Sequence, residues 1–178
     1  QTQDHPQFKT YAEELKWLTT DTTRMSWIAN TIKDIATSGN TLILVDRISA
    51  GELLEKKIKD SVFVSGSTKN IERKEQYDEI STATNKVIIA TYGVAAVGIN
   101  IPRIFNLVLI EPGKSFVRVI QSIGRGIRKA QDKDSVQIWD ITSSCKFAKR
   151  HLGARKKFYK EANYPYNIEK INYENPYT

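Results

Sequence analysis

Short apolar, β-branched runs recur through the middle of the chain, each followed by a stretch with helical spacing. The runs fall at residues 41–45, 61–64, 86–90, 105–110 and 136–139, and most lack the alternation of a strand with one wet face. They predict central strands buried on both sides, joined as βαβ units into an α/β fold with a mostly parallel sheet and helices on both faces. Before the first run, Met25, Ile28, Ile32 and Ile35 advance by three and four residues and predict a helix, with Gly39 as its stop. Ser49, Ala50, Gly51 and Glu52 spell a capping box, which predicts a helix opening there and running to about residue 59. Phe116, Val119, Ile120, Ile123 and Ile127 form another stripe, placing residues 121–128 late on a helix. A last helix, over about 143–162, sets Phe147, Leu152, Phe158 and Tyr159 against a basic remainder. That remainder comprises Lys146, Lys149, Arg150, Arg155, Lys156, Lys157 and Lys160, and it predicts a solvated outer face or a phosphate-binding one.

The ends differ from this middle. Residues 1–20 read as a polar lead-in or interdomain linker, residues 21–162 as the domain, and residues 163–178 as an extension rich in Asn, Tyr and Pro. The 178 residues are enough for one well-buried core. No apolar run approaches the roughly 18–20 residues that span a bilayer, and residues 1–10 lack the basic start and apolar stretch of a secretory signal. The single cysteine, Cys145, fits a reducing compartment such as cytoplasm, and with only His5 and His151 beside it no metal-ligand cluster is expected. A formal net charge of +7 favours polyanionic partners, although a solvated basic face gives the same total.

Chemistry is concentrated in two segments. Gln121, Gly124, Arg125 and Arg128 form Q-x-x-G-R-x-x-R, and two arginines three apart on a helix share a face. Guanidinium stays ionised and presents a planar fork of donors, which suits phosphate at a charge-separating transition state. A basic helix face in solvent has the same spacing. Gly124 and Gly126 shift the balance, because each costs about 1 kcal/mol of helix propensity and suggests a close approach to the backbone. The second segment, residues 87–102, is a buried strand opening into small residues with Thr91 and Asn100 among them. In a parallel sheet this lies at the carboxyl ends of the strands, where ligand crevices form; an ordinary βα connection would look alike.

Taken together, residues 41–54, 64–76, 87–102 and 121–129 resemble, in order and spacing, motifs IV through VI of superfamily 2 helicases. The resemblance covers roughly residues 22–142. It implies a RecA-like three-layer domain, the second of two motor domains, in which Gln121, Arg125 and Arg128 act catalytically on ATP. With Gly98 and Asn100 these residues would touch the nucleotide. Arg47, Ser65, Gly66 and Thr91 would touch the nucleic-acid backbone, and Arg155, Lys156 and Lys157 are expected to add phosphate contacts. ATP and Mg²⁺ would be held mainly by an N-terminal RecA-like domain of the same polypeptide. Among such helicases the chain looks most like those of T-even bacteriophages that serve recombination, replication and repair. That implies branched or junction-containing DNA as partner and the bacterial host cytoplasm as location. Asn100 departs from the acidic residue that many relatives carry in G-x-D-x-P, so it brings hydrogen bonds without charge.

Gly113, Lys114 and Ser115 imitate the end of a P-loop, but position 108, where the first glycine belongs, is Val108 within a predicted strand. Pro112 supplies no N–H, so Ser115 reads as a helix cap and Lys114 as solvent-facing. Asp140 stands without the second carboxylate of a Walker B motif. The chain by itself is therefore expected not to hydrolyse ATP. The alternative reading is a non-enzymatic nucleic-acid binding module of the same fold. A nucleotide-cofactor enzyme is disfavoured because no G-x-G-x-x-G follows the first strand.

Overall fold

The computed structural model describes residues 5–66, 85–96, 104–113, 116–127 and 136–173, and for residues 123–127 the description is of helical backbone. The described strands are β1 (Thr41–Val45), β2 (Val62–Val64), β3 (Val87–Thr91), β4 (Asn106–Ile110) and β5 (Gln137–Ile141). The helices are α1 (Tyr11–Leu18), α2 (Thr22–Ile35), α3 (Ile48–Lys57), α4 (Tyr92–Ala96), α5 (Phe116–Ile127) and α6 (Lys146–Glu161), with a 3₁₀ turn at Ala36–Ser38. All pairings are parallel, in the order β2-β3-β1-β4-β5. Every residue of β1 and β4 is buried, as unalternating apolar runs require, whereas β5, at the edge of the described sheet, is exposed or partly exposed up to its buried last residue, Ile141.

Alternate strand residues feed two cores. Leu42, Leu44, Ile88, Ala90, Leu107 and Leu109 pack under α4, α5 and Tyr159 of α6. Ile43, Val45, Ile89, Val108 and Ile110 face the other way, onto Met25, Ile28 and Ile32 of α2 and Ala50 and Leu54 of α3. Period-two side chains from one buried sheet thus produce the three-layer RecA-like α/β architecture. No described helix is long and apolar enough to cross a membrane.

One local expectation is revised, and both ends of the chain pack against the domain. The capping box is not made: α3 begins at Ile48, its N-cap is Arg47 in extended backbone (φ −113°, ψ 143°), and no side chain caps it. A cap must hold extended backbone, and the chain turns before Ser49 reaches that position. Gly51 serves packing instead, since a Cβ there would lie 2.3 Å from the Phe63 ring. The stretch expected as a lead-in carries α1, capped by Thr10, whose Oγ1 accepts from the Glu13 N–H at 3.2 Å. Leu15 and Leu18 are buried, and Leu18 packs with Cys145 and Ala148. The C-terminal stretch is also anchored: Tyr173 stacks on Trp27 with ring centroids 5.7 Å apart, and Tyr164 meets Phe158 at 6.1 Å.

Candidate functional site

Because the described strands all run parallel, the loops after them share one edge. Val45 pairs with Thr91 and Val64 with Ala90, so β1, β2 and β3 end at nearly the same level. Just beyond lie Arg47, partly exposed, Ser65, buried, and Gly66, exposed with open space where a Cβ would stand. Thr91 closes β3, and its Oγ1 accepts from the Val94 N–H at 3.2 Å to start α4. The chain leaves β1 toward one sheet face through α3 and leaves β3 and β4 toward the other through α4 and α5. In parallel sheets such divergence marks where ligand crevices form. The structure therefore gathers Arg47, Ser65, Gly66 and Thr91 along one rim.

From β4 the chain enters α5, whose Phe116, Val119 and Ile120 are buried as the stripe predicts. Gln121 is exposed on this helix, and Arg125 follows one turn later on the same helical backbone. Ser122 Oγ donates to the Ala96 carbonyl at 3.3 Å, tying α5 to the end of α4. The helical backbone runs on through Gly124 and Gly126. Gly98, Asn100, Arg128, Lys114 and Ser115 lie outside the described residues.

The same edge holds a buried polar framework. Arg24, fully buried on α2, donates to Glu111 Oε1 and to the Leu18 carbonyl, both at 2.5 Å, and Thr142 Oγ1 donates to Glu111 Oε2 at 3.1 Å. Burial raises the Glu111 carboxyl above its ordinary range, and Arg24, with the Thr142 hydrogen bond, opposes the rise. Arg155 forks onto Asp140, Nε to Oδ2 at 2.7 Å and Nη2 to Oδ1 at 2.9 Å, while its Nη1 donates to the Pro112 carbonyl at 2.8 Å. Tyr159 Oη donates to Asp140 Oδ2 at 2.7 Å. Desolvation pushes the Tyr159 hydroxyl up, and the charge of Asp140 adds to the shift. Tyr92 Oη donates to the Ile110 carbonyl at 2.9 Å.

This corrects the expectation for Arg155. Rather than facing solvent with its basic neighbours, Arg155 is 2% exposed and its guanidinium is turned inward to Asp140 and Pro112. Lys156 is partly exposed and Lys157 exposed, so those two keep the surface position expected of them. Sequence reading passed over Arg24, Glu111 and Asp140 as members of this framework. A signal was present in the helices: Arg24 precedes Ile28 by four residues, and Arg155 shares helical spacing with Ala148 and Tyr159, so each arginine falls on the buried stripe of its helix.

Residues 23–130 match the model of the helicase conserved C-terminal domain. The ATP-dependent DNA helicase UvsW of Enterobacteria phage T4 is 30% identical over 155 residues, covering 84% of this chain and 31% of that protein. The crystal structure of T4 UvsW superposes with a TM-score of 0.80 at 25% identity, over 93% of this chain and 38% of that one. The C-terminal domain of the DEAD-box protein Dbp5, at 22% identity, shares the fold with a TM-score of 0.59 over 90% of this chain and 86% of that domain. The chain thus spans about a third of the length of UvsW. With the parallel sheet, the rim at the ends of β1 to β3 and the α5 segment in place, this chain belongs to the family of helicase C-terminal domains, of the superfamily 2 type.

Proposed function

We propose that this domain is the second motor of an ATP-dependent DNA helicase or translocase that acts on branched or junction-containing DNA in recombination, replication and repair. It works with an N-terminal RecA-like domain of the same polypeptide, toward which residues 1–20 lead, and residues 163–178 extend the motor beyond its core. The observation that carries the reading is the arrangement of two residue sets on one domain. Arg47, Ser65, Gly66 and Thr91 line the carboxyl edge of the sheet, and α5 presents Gln121 in solvent with Arg125 one turn beyond. Kinship with a phage DNA helicase supports DNA as the track and a host cytoplasm as the setting.

In this mechanism ATP, with the Mg²⁺ that neutralises its phosphates, is held mainly by the preceding domain, whose P-loop supplies the groups missing here. The exposed amide of Gln121 and the guanidinium groups of Arg125 and Arg128 approach from across the cleft, and Gly98 and Asn100 complete the nucleotide contacts. Arginine delivered this way stabilises charge that develops only in the transition state, so it acts on turnover more than on binding. The rim residues meanwhile hold phosphates of the strand, and closing and opening of the cleft moves the strand along the rim.

The test is ATP turnover in the two-domain protein. Arg125→Ala and Arg128→Ala should each lower kcat by about 10³-fold or more while nucleotide affinity stays near the parent value. Normal turnover in both variants would remove the arginine-finger assignment. DNA-stimulated turnover by the 178-residue chain alone would contradict the division of labour between domains.

A further inference from the structure

Three consecutive residues, the last of β4 and the two that follow it toward α5, are each held by a side chain from elsewhere in the fold. Tyr92 holds the Ile110 carbonyl, Arg24 and Thr142 hold the Glu111 carboxylate, and Arg155 holds the Pro112 carbonyl. Glu111 sits at φ +46°, a left-handed conformation that costs a non-glycine residue free energy and persists only where surroundings enforce it. The next carbonyl, that of Gly113, accepts from the Phe116 N–H at 3.2 Å and so opens α5. Phe116 is in turn gripped by α6, with ring centroids 5.3 Å from Phe158 and 5.4 Å from Tyr159, both edge-on.

Arg155 joins these parts. Its fork fixes it to Asp140 on β5, its remaining terminal nitrogen fixes Pro112, and Tyr159 one turn along α6 binds the same Asp140 while packing on Phe116. A guanidinium can satisfy both oxygens of a carboxylate and a third acceptor at once, in one plane, where an ammonium cannot. We propose that Arg155 is a positioning residue for ATP turnover: anchored on Asp140, it sets the direction in which α5 leaves the sheet, and with it the reach of Gln121 and the arginines that follow. The proposal rests on the reading of α5 as the nucleotide-facing helix. Geometric tolerance makes the effect large, since a displacement of about 1 Å at a catalytic group can lower a rate by about 10²-fold.

The experiment compares Arg155→Lys and Asp140→Asn with the parent in two measurements. Ile28→Ala, in the core on the opposite sheet face, serves as the destabilisation control. In this chain, hydrogen exchange at the backbone amides of α5 should accelerate in both variants relative to amides of β1, and should not do so selectively in Ile28→Ala. In the two-domain protein, well below each Tm, kcat should fall about tenfold or more with KM for ATP within about twofold, while the control keeps the parent kcat. Should α5 amides exchange as in the parent, or kcat fall only in proportion to the folded fraction, Arg155 is a structural ion pair and the proposal is overturned. A parent two-domain protein that turns over no ATP would refute the helicase reading and the proposed role in turnover, while exchange would separately decide whether Arg155 fixes α5.

Discussion

Glu14 caps a helix more than 130 residues away: its carboxylate accepts from the backbone N–H groups of Phe147 at 2.9 Å and Ala148 at 2.6 Å, donors without an intrahelical partner at the start of α6. An anionic acceptor at a helix N-terminus satisfies orphan donors and opposes the helix dipole, and Glu14 is 1% exposed, so little solvent screens it. Glu14→Ala should lower unfolding free energy by about 1–3 kcal/mol, because it leaves one buried and one partly buried donor unmet, and Glu14→Gln by about 1 kcal/mol. Urea denaturation measures both. A midpoint unchanged in Glu14→Ala would mean that α1 does not dock in solution.

That contact also marks where sequence reading reached its limit. β1 was legible to the residue, since five consecutive buried positions leave an apolar run with no competing interpretation. The α5 stripe and the Gly39 stop were legible for the same reason: local spacing decides them, and Gly39 takes φ +151°, which side chains disfavour. The docking of α1 was not, because α1 is short and is held by partners far along the chain, which no local window contains. The charge of Arg155 suggests a surface position, but its place on the helical period of α6 turns it inward. Within the site, the rim residues could be placed from strand ends alone, whereas the Arg24–Glu111 and Arg155–Asp140 pairs join residues whose separations carry no motif.

Gly51 lies where α3 presses on β2, with the Phe63 ring 2.3 Å from the position of a Cβ. Gly51→Ala ordinarily gains helix propensity, about 1 kcal/mol, but here steric displacement should outweigh it and give a net loss of about 1–2 kcal/mol. In a double-mutant cycle, Phe63→Leu should recover part of that loss by removing the ring edge. Additive effects would show that the ring swings aside freely and that Gly51 is not required by packing.

Cys145 is wholly buried, and desolvation raises its thiol from 9.0 to about 11, against a smaller lowering by its hydrogen bond with Ser143. The folded state therefore favours the protonated thiol. The sign follows: the contribution is present below pH 9, and is lost as pH rises toward 11, because the unfolded thiol ionises first. Cys145→Ala should accordingly flatten the decline in stability across that window. At pH 8, labelling by a thiol reagent should proceed at the rate of unfolding, and rapid stoichiometric labelling of the native protein would contradict the burial.

Lys156, partly exposed, and Lys157, exposed, follow the buried Arg155 on α6, so the three neighbours should separate in a DNA-binding experiment. Each surface cation that neutralises a phosphate releases condensed counterions, which steepens the dependence of log K on log salt by about 0.9 for duplex DNA and about 0.7 for a single strand. If α6 borders the DNA track, Lys156→Gln with Lys157→Gln should weaken binding at moderate salt and flatten that slope by up to about two units, leaving ATP affinity unchanged. Arg155→Gln should behave differently. With its guanidinium committed to Asp140 and Pro112, its loss should lower thermal stability while the salt slope, measured where the variant is folded, stays at the parent value. Breaking a buried pair by removing one partner typically costs about 3–5 kcal/mol, so the stability arm has ample signal. An unchanged slope in the double lysine variant would make α6 a solvated face with no part in gripping DNA. A slope that flattens in Arg155→Gln would mean that the arginine leaves Asp140 to meet phosphate when DNA binds, contrary to the fixed positioning role assigned to it.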